Sequence, residues 1–292
     1  MARRGAIILC ILEEYCVMST RSMRRFNLLI SLIIAVFIAS CSTSPTGRPQ
    51  LIIKSDAELE AQAAATFNAY RTTLPLTTNR AKIDFVACIA QAVVAELNPP
   101  YSDIEWELAI FEQNQINAFA MPGGKIGVYT GILEITENEH QLAAVIGHEI
   151  AHVTAKHVNE RASRGSLTGI GIEALAVIMG GGYTGGAYTA SQALSAGAAL
   201  GLQLPMSRGQ ESEADIVGLE YMAKAGFDPR AAVDLWQNMS AQGGKKPPEH
   251  LSTHPASETR IENLISEWQK TLPIYNQALA DGKQPNCKKT WE

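Results

Sequence analysis

The sequence predicts an α+β protein that is mostly helical, with one small β-sheet beside its central helix. Two observations carry this prediction. Residues 139–153 place apolar side chains three and four positions apart, which is the spacing of a packed α-helix. Residues 104–110 alternate apolar and polar side chains instead, as a half-buried strand does.

The remaining elements follow from the helix-breaking residues and from the apolar spacing. Asn98-Pro99-Pro100 ends a helix, because the residue before a proline avoids the helical conformation. Pro229 and Pro255 lie near predicted helix starts, where proline is tolerated. A further strand or hairpin is expected at 124–130. The other predicted helices cover 56–70, 81–97, 213–225, 229–241 and 256–270.

The segment His148-Glu149-Ile150-Ala151-His152 carries the chemistry. Residues four apart share one face of an α-helix, so both imidazoles can bind one metal ion. Glu149 lies on the neighbouring flank, where it can take a proton from a water molecule. This is the H-E-x-x-H pattern of zincin metallopeptidases. The alternative is a surface helix with two structural histidines, and the apolar residues before the motif argue against it.

A catalytic zinc site needs a third protein ligand. Val158 excludes the zincin variant that has a histidine six residues after the second one. Glu211 is the strongest candidate, because Glu211 and Asp215 face the same way on a helix. One carboxylate can bind zinc and the other can accept a hydrogen bond from a ligand imidazole. Glu213 is expected to point away as a solvated charge. Alone, residues 207–215 also fit the acidic start of an ordinary amphipathic helix.

Four blocks of sequence form a combination that is more specific than any one motif. They are residues 117–124 with 126–131, residues 145–152, residues 211–215, and residues 252–255 with Arg260-Ile261. With these blocks the chain resembles the HtpX-like gluzincin zinc metallopeptidases, which are related to the CAAX prenyl endopeptidases. The likeness covers about residues 51–270 and is greatest to the periplasmic lipoprotein branch of BepA and LoiP type.

The resemblance implies a zincin (gluzincin) fold and one Zn²⁺ per chain. It assigns His148, His152 and Glu211 to zinc, Glu149 to general-base catalysis, and Asp215 to support of a ligand.

His254 precedes the last predicted helix and has more than one possible role. It can stabilise the oxyanion, or it can occupy the fourth zinc position and hold the enzyme inactive, as the resemblance favours. A histidine that only caps the following helix is the structural alternative. Arg260 is expected to pair with Asp215 or Glu211, or to lie near the oxyanion.

The strand at 124–130 is expected to offer a sheet edge to an extended substrate, because main-chain hydrogen bonds give sequence-tolerant affinity. Asn117, Ala118 and Phe119 resemble the family's segment at that edge and are the predicted substrate-binding residues. Asn117 alone also fits a residue that caps a turn.

The N-terminus predicts a lipid anchor. Arg24-Arg25 precede an apolar run at 26–38 that has signal-peptide length and is short for a membrane span. Ile38-Ala39-Ser40-Cys41 resembles a bacterial lipobox, in which Cys41 receives lipid. Ser42 resembles the following residue of lipoproteins sent to the outer membrane. The alternative is a signal anchor with an incidental cysteine.

The expected organisation therefore has four parts, and the translation start can also lie at Met18 or Met23. The parts are a signal peptide at 1–40, a tether at 41–50, the peptidase domain at 51–272 and a C-terminal tail at 273–292.

Two cysteines, Cys88 and Cys287, remain beyond the lipobox and the leader. In an oxidising periplasm such a pair indicates a disulfide, which would tie the C-terminal tail to the helix around Cys88. The alternative is that Cys88 is a small buried hydrophobic residue.

The net charge argues against nucleic acid as a partner. Loss of residues 1–40 removes five Arg and two Glu and moves the net charge from −5 to −8, whereas nucleic-acid binding needs clustered Lys and Arg.

The glycine-rich segment 165–205 fits a mobile hairpin or lid, a buried helix, or a contact with the membrane surface.

These observations predict a zinc metalloendopeptidase that faces the periplasm from the outer membrane of a Gram-negative bacterium. Its expected substrates are extended chains of misfolded or unassembled envelope proteins, and the outer-membrane assembly machinery is a further expected partner. The alternatives are a chaperone-like binding module, against which an intact Glu149 argues, and a zinc amidase acting on cell-wall peptides.

Overall fold

The computed structural model describes residues 41–167, 206–241, 254 and 258–291. Most of these residues are helical and the sheets are small, which confirms the predicted α+β class. The elements, numbered along the described chain, are β1 Cys41–Thr43, β2 Pro49–Leu51, α1 Asp56–Thr73, α2 Arg80–Val94, β3 Glu107–Phe111, β4 Ala118–Met121, β5 Lys125–Tyr129, α3 Thr130–Leu133, α4 Glu139–Thr154, α5 His157–Leu167, α6 Arg208–Lys224, α7 Ala231–Ala241 and α8 Glu258–Ala280.

The larger sheet has three strands in the order β3-β5-β4. β5 pairs in parallel with β3, placing Glu107 opposite Lys125, and antiparallel with β4, placing Ala118 opposite Val128. The predicted strand at 124–130 is therefore present, but it is the central strand. The expectation that it offers a free edge is wrong, because hydrogen bonds to β3 and β4 occupy both of its sides. Within the described residues, β4 has β5 as its only partner strand.

The side chains of β4 alternate between two packed layers. Ala118 and Ala120 belong to the main core with α4, and their small size lets the helix approach the strand closely. Phe119 points the other way, into an aromatic cluster that includes Tyr70. Its ring lies across Gly127, where a Cβ atom would come within 2.1 Å of the ring. The strand thus holds α4 on one face and the aromatic cluster on the other.

Helices α4 and α6 pack at backbone contact, and two glycines permit it. A Cβ atom on Gly147 would lie 2.8 Å from the carbonyl oxygen of Gly218. A Cβ atom on Gly218 would lie 2.8 Å from the backbone nitrogen of His148. This contact brings the face of α6 that carries Glu211, Asp215 and Gly218 against the first motif histidine.

The N-terminal segment differs from the expected tether. β1 and β2 form an antiparallel hairpin in which Cys41 pairs with Leu51, and the hairpin packs against α5. Gln50 explains the docking, since its side-chain amide is buried and donates to the backbone oxygen of Ala155 at 2.7 Å. The composition of residues 41–50 does not reveal these hydrogen bonds, because they join segments that are far apart in the sequence.

The C-terminal region also differs from the expected boundary at 272. Helix α8 continues to Ala280 with Pro273 inside it, so the predicted tail begins as helix. Beyond the helix, the N–H group of Cys287 donates to the carboxylate of Glu139, and Trp291 packs against Phe85.

Most of the segment 165–205 lies outside the described residues. None of the helices that the structure describes is both long enough and apolar enough to cross a bilayer.

Candidate metal centre and active site

Helix α4 presents both histidines of the H-E-x-x-H motif to one point. Asn138 caps its first turn, because its side-chain oxygen accepts hydrogen bonds from the N–H groups of His140 and Gln141. His148 and His152 follow one turn apart, and their Nε2 atoms lie 3.0 Å from each other. Both rings are buried, so the helix supplies two converging nitrogen donors inside the protein.

Helix α6 brings the carboxylate of Glu211 to the same point. Ser207 and Gln210 form a capping box at the start of the helix, which places Glu211 in its first turn. Glu211 Oε2 lies 3.5 Å from His148 Nε2, and Oε1 lies 3.6 Å from His152 Nε2. An anionic oxygen donor therefore joins the two imidazoles.

His254, four residues before α8, completes the cluster. Its Nδ1 atom lies 3.1 Å from His148 Nε2 and 3.0 Å from Glu211 Oε1. Its Nε2 atom lies 3.6 Å from Glu149 Oε1. His254 thus stands between the other donors and Glu149.

The donor set fits a zinc ion. The four ligand atoms, one from each residue, lie within 4.8 Å of one another. Five of the six pairs of donor residues lie between 3.0 and 3.6 Å apart. A tetrahedral zinc ion with bonds of about 2.0–2.1 Å separates its ligands by roughly 3.3–3.4 Å. Imidazole nitrogen and carboxylate oxygen are also the donor types that zinc accepts.

Asp215 and Arg260 hold the far side of His148. Asp215 Oδ1 lies 3.0 Å from His148 Nδ1, so the carboxylate can accept a hydrogen bond from the Nδ1–H group and leave Nε2 to face the cluster. Arg260 donates to both oxygens of Asp215 at 2.6 and 2.7 Å and pairs with Glu211 at 2.9 Å. Its guanidinium carbon lies 3.6 Å from the ring centroid of Trp236. One arginine therefore steadies two carboxylates of α6.

Burial and neighbouring charges set the pKa values of the site. Burial opposes the charged form of His148, but hydrogen bonds with Asp215 and Glu211 outweigh it and raise the pKa of His148 to about 9. Burial, followed by the charge of His148, lowers the pKa of His152 well below its usual value.

Burial raises the pKa of the Glu149 carboxyl, which makes it a stronger base than an exposed glutamate. The pKa of Glu211 moves the other way despite burial, because His254 and His148 stabilise its anion.

A comparison with protein families agrees with this geometry. Residues 80–268 match the model described as Peptidase family M48. The chain belongs to peptidase family M48. Members of this family use zinc, and the matched span contains the whole four-residue cluster.

Curated relatives of this M48 chain come from mitochondria and from bacteria. Mitochondrial metalloendopeptidase OMA1 of Schizosaccharomyces pombe is 39% identical over 57% of this chain and 48% of its own length. The OMA1 metalloendopeptidase of Bos taurus is 32% identical over 88% of this chain and 50% of its own. The beta-barrel assembly-enhancing protease of Yersinia pestis is 31% identical over 70% of this chain and 42% of its own. The chain thus spans about half of each relative or less.

The predicted substrate-binding residues lie at the outer strand of the sheet. The backbone oxygen of Asn117 accepts a hydrogen bond from Tyr129, just before β4. Ala118 and Phe119 are buried in β4, so their side chains offer little surface to a substrate. The strand also reaches the active site directly, since the backbone of Ala120 is hydrogen-bonded to Glu149.

Several residues of the site were not predicted from the sequence. Glu213 is not a solvated charge: it is 2% exposed and lies 3.1 Å from His157 Nε2. The prediction failed because Glu213 faces α5 and the N-terminal hairpin, two elements that the helical pattern of α6 alone does not reveal. His157 in turn contacts His152, and its only sequence signal was a histidine five residues after the motif. Arg48 reaches Glu213 from the segment expected to be a tether.

The two cysteines beyond the leader lie together. Cys88 and Cys287 form a disulfide with a Cα–Cα distance of 5.7 Å. The bridge attaches the segment after α8 to α2.

Proposed function

We propose that this M48 chain is a zinc-dependent metalloendopeptidase that hydrolyses peptide bonds of misfolded or unassembled cell-envelope proteins. The observation that carries the proposal is the convergence of His148, His152 and Glu211 on one point beside the buried carboxylate of Glu149. These residues would hold the zinc ion, as the resemblance implies. A purely structural site has no need of a base at the position of Glu149.

The protein groups support peptide hydrolysis in two ways. Zinc, when bound, supplies Lewis acidity that polarises a carbonyl group and makes water more acidic. Glu149 then accepts the proton of the attacking water and passes it to the leaving amine. Burial raises the pKa of Glu149, which makes its carboxylate a better proton acceptor than that of an exposed glutamate.

The outer strand β4 gives the substrate a place to bind. Within the described residues it pairs only with β5, so its other edge can add an extended peptide through main-chain hydrogen bonds. Asn117, Ala118 and Phe119 begin this edge. Because Ala120 is hydrogen-bonded to Glu149, a peptide along β4 passes the general base.

His254 keeps the site closed in the resting protein. Its Nδ1 atom lies among the ligand atoms, and its Nε2 atom faces Glu149, so the ring occupies the space in which the attacking water must be activated. Substrate binding then has to move His254 aside. His254 is then a removable fourth ligand rather than a hydrogen-bond donor to the oxyanion.

Envelope location rests on the N-terminal motif and on one group of relatives. Residues 38–41 resemble a lipobox, which supports an HtpX-like lipoprotein with an outer-membrane anchor at Cys41. The relative from Yersinia pestis is named a beta-barrel assembly-enhancing protease, which supports outer-membrane assembly as the setting. Labelling with a fatty acid should mark the wild type and not Cys41→Ser. An unlabelled wild type would remove the anchor from the proposal.

The direct test of the function is proteolysis of an unfolded substrate such as casein by Glu149→Gln. The variant should keep zinc and lose activity by about 10²–10⁴-fold, which is the usual contribution of a general base. Glu134→Gln is the matched control, because Glu134 is exposed and pairs only loosely with Lys82 at 3.6 Å. Equal activity of Glu149→Gln and Glu134→Gln would contradict the mechanism. Binding without cleavage by the wild type would support a chaperone-like module instead.

His254→Ala separates the two catalytic readings of that residue in the same assay. If His254 closes the site, the variant should cleave casein or itself faster while zinc stays bound. If His254 stabilises the oxyanion, turnover should fall by about 10²–10³-fold, as it does on loss of one such donor. An unchanged rate would contradict both roles and leave His254 as a structural residue.

A further inference from the structure

A series of hydrogen-bonded side chains leads from His152, one of the two motif histidines, away from the metal cluster. His152 Nδ1, the ring nitrogen opposite the donor atom, lies 2.8 Å from His157 Nδ1. His157 Nε2 lies 3.1 Å from Glu213 Oε2. All three side chains are buried. His152 therefore has an outer partner, as His148 has Asp215, but that partner is another imidazole.

The N-terminal hairpin contacts Glu213, the last residue of this hydrogen-bonded series. Arg48 donates from Nε and Nη2 to Glu213 Oε2 at 3.2 and 2.9 Å. Thr46 donates to Glu213 Oε1 from its backbone N–H and its hydroxyl, at 3.2 and 2.6 Å. Arg48 also forms a two-pronged pair with Glu160, both contacts being 2.7 Å. The hairpin thus supplies the groups that stabilise a buried anion next to His157.

The donors and acceptors of His152, neutral His157 and Glu213 allow one consistent placement of the imidazole protons. An ionised carboxylate only accepts hydrogen bonds, so Glu213 requires the proton of neutral His157 to be on Nε2. His157 Nδ1 then accepts, and His152 Nδ1 must donate to it. With its proton on Nδ1, His152 directs the lone pair of Nε2 into the cluster, as a metal ligand must.

We propose that His157, Glu213 and Arg48 are positioning residues that keep His152 in its metal-binding tautomer and orientation, so that the N-terminal hairpin completes the metal centre. The inference rests on the proposed function for the identity of the site. Each of the two ligand histidines is then oriented by a carboxylate and an arginine. Asp215 and Arg260 hold His148 directly, whereas Glu213 and Arg48 hold His152 through His157.

The test measures zinc affinity in the full chain by competition with a chromophoric chelator, without substrate. Glu213→Gln and His157→Phe should each bind zinc roughly 10–100-fold more weakly, the usual effect of losing an outer partner of a ligand. Arg48→Gln should weaken zinc binding in the same direction. Arg164→Gln is the matched control, because Arg164 pairs with Glu160 at 2.7 Å, whereas Arg48 pairs with both Glu160 and Glu213. Its zinc affinity should equal that of the wild type.

Two further readouts separate positioning from a structural role. A residue needed only for folding would lower the unfolding midpoint of the metal-free chain and leave the zinc affinity of folded protein unchanged. A positioning residue should also shift the visible absorption of the cobalt-substituted chain, which reports ligand geometry. Wild-type zinc affinity and cobalt spectra in both Glu213→Gln and His157→Phe would overturn the proposal. A wild type that binds zinc but cleaves nothing would overturn the proposed function alone, because neither readout uses catalysis.

Discussion

Replacement of Gly218 by alanine should separate α4 from α6. The new Cβ atom would lie 2.8 Å from the nitrogen of His148, and 2.9 Å from both the Cα atom of His148 and the carbonyl carbon of Gly147. Carbon atoms in good contact are about 3.5–4.0 Å apart. These neighbours are backbone atoms of a buried helix, so α6 has to move by about 0.6–1 Å to relieve the overlap.

The same movement should reach the metal site. Asp215 and Glu211 lie three and seven residues before Gly218, on the same face of α6. A displacement of about 0.7 Å would stretch the contact between Asp215 Oδ1 and His148 Nδ1 from 3.0 Å to beyond the length of a hydrogen bond. We expect Gly218→Ala to lose about 1–3 kcal/mol of unfolding free energy and to bind zinc roughly 10–100-fold more weakly.

Gly209→Ala on the same helix is the control. No atom lies within 4 Å of its added Cβ, so this change should be neutral or stabilise the helix by up to about 1 kcal/mol. Denaturant unfolding of the metal-free chain and chelator competition measure the two effects. Equal stability and equal zinc affinity of Gly218→Ala and Gly209→Ala would refute the close packing of α4 against α6.

Three further changes test other parts of the structure. Arg260→Lys keeps the charge but loses the fork that binds both oxygens of Asp215, so zinc competition should show roughly tenfold weaker binding. Burial opposes ionisation of Glu160, but Arg48 outweighs it and lowers the pKa of Glu160. The stability that this pair contributes is present above the unfolded pKa of about 4.3 and is lost as pH falls through the lower folded pKa. Acid unfolding of Glu160→Gln should therefore lack this loss. Cys287→Ala opens the bridge to Cys88 and should lower the unfolding free energy by about 2–5 kcal/mol.

The motif and its helix were predictable because they depend on local spacing. His148 and His152 share a face wherever the segment is helical, and the apolar run before them made it helical. Glu211 and Asp215 followed from the same rule on α6.

The missed residues depend on contacts between distant segments. Glu213 joins Arg48 across 165 positions of the chain, and no periodicity within α6 indicates which neighbour it meets. The hairpin at 41–51 has few apolar residues, so its composition indicated a tether although buried hydrogen bonds hold it. The continuation of α8 beyond Pro273 was missed for a different reason, since a proline within a helix is locally unfavourable and tertiary packing overrides that preference.

The zinc content of Glu211→Ala tests the central claim most directly. Wild-type chain, dialysed against a weak chelator, should retain about one zinc per chain by elemental mass spectrometry. Glu211→Ala should lose most of it, because the variant lacks the anionic ligand and keeps only the neutral donors His148, His152 and the removable His254. Glu220→Ala is the matched control, since Glu220 is on the same helix and pairs with Lys224 instead. Loss of zinc in Glu211→Ala alone is the predicted result, and stoichiometric zinc in Glu211→Ala would contradict the site.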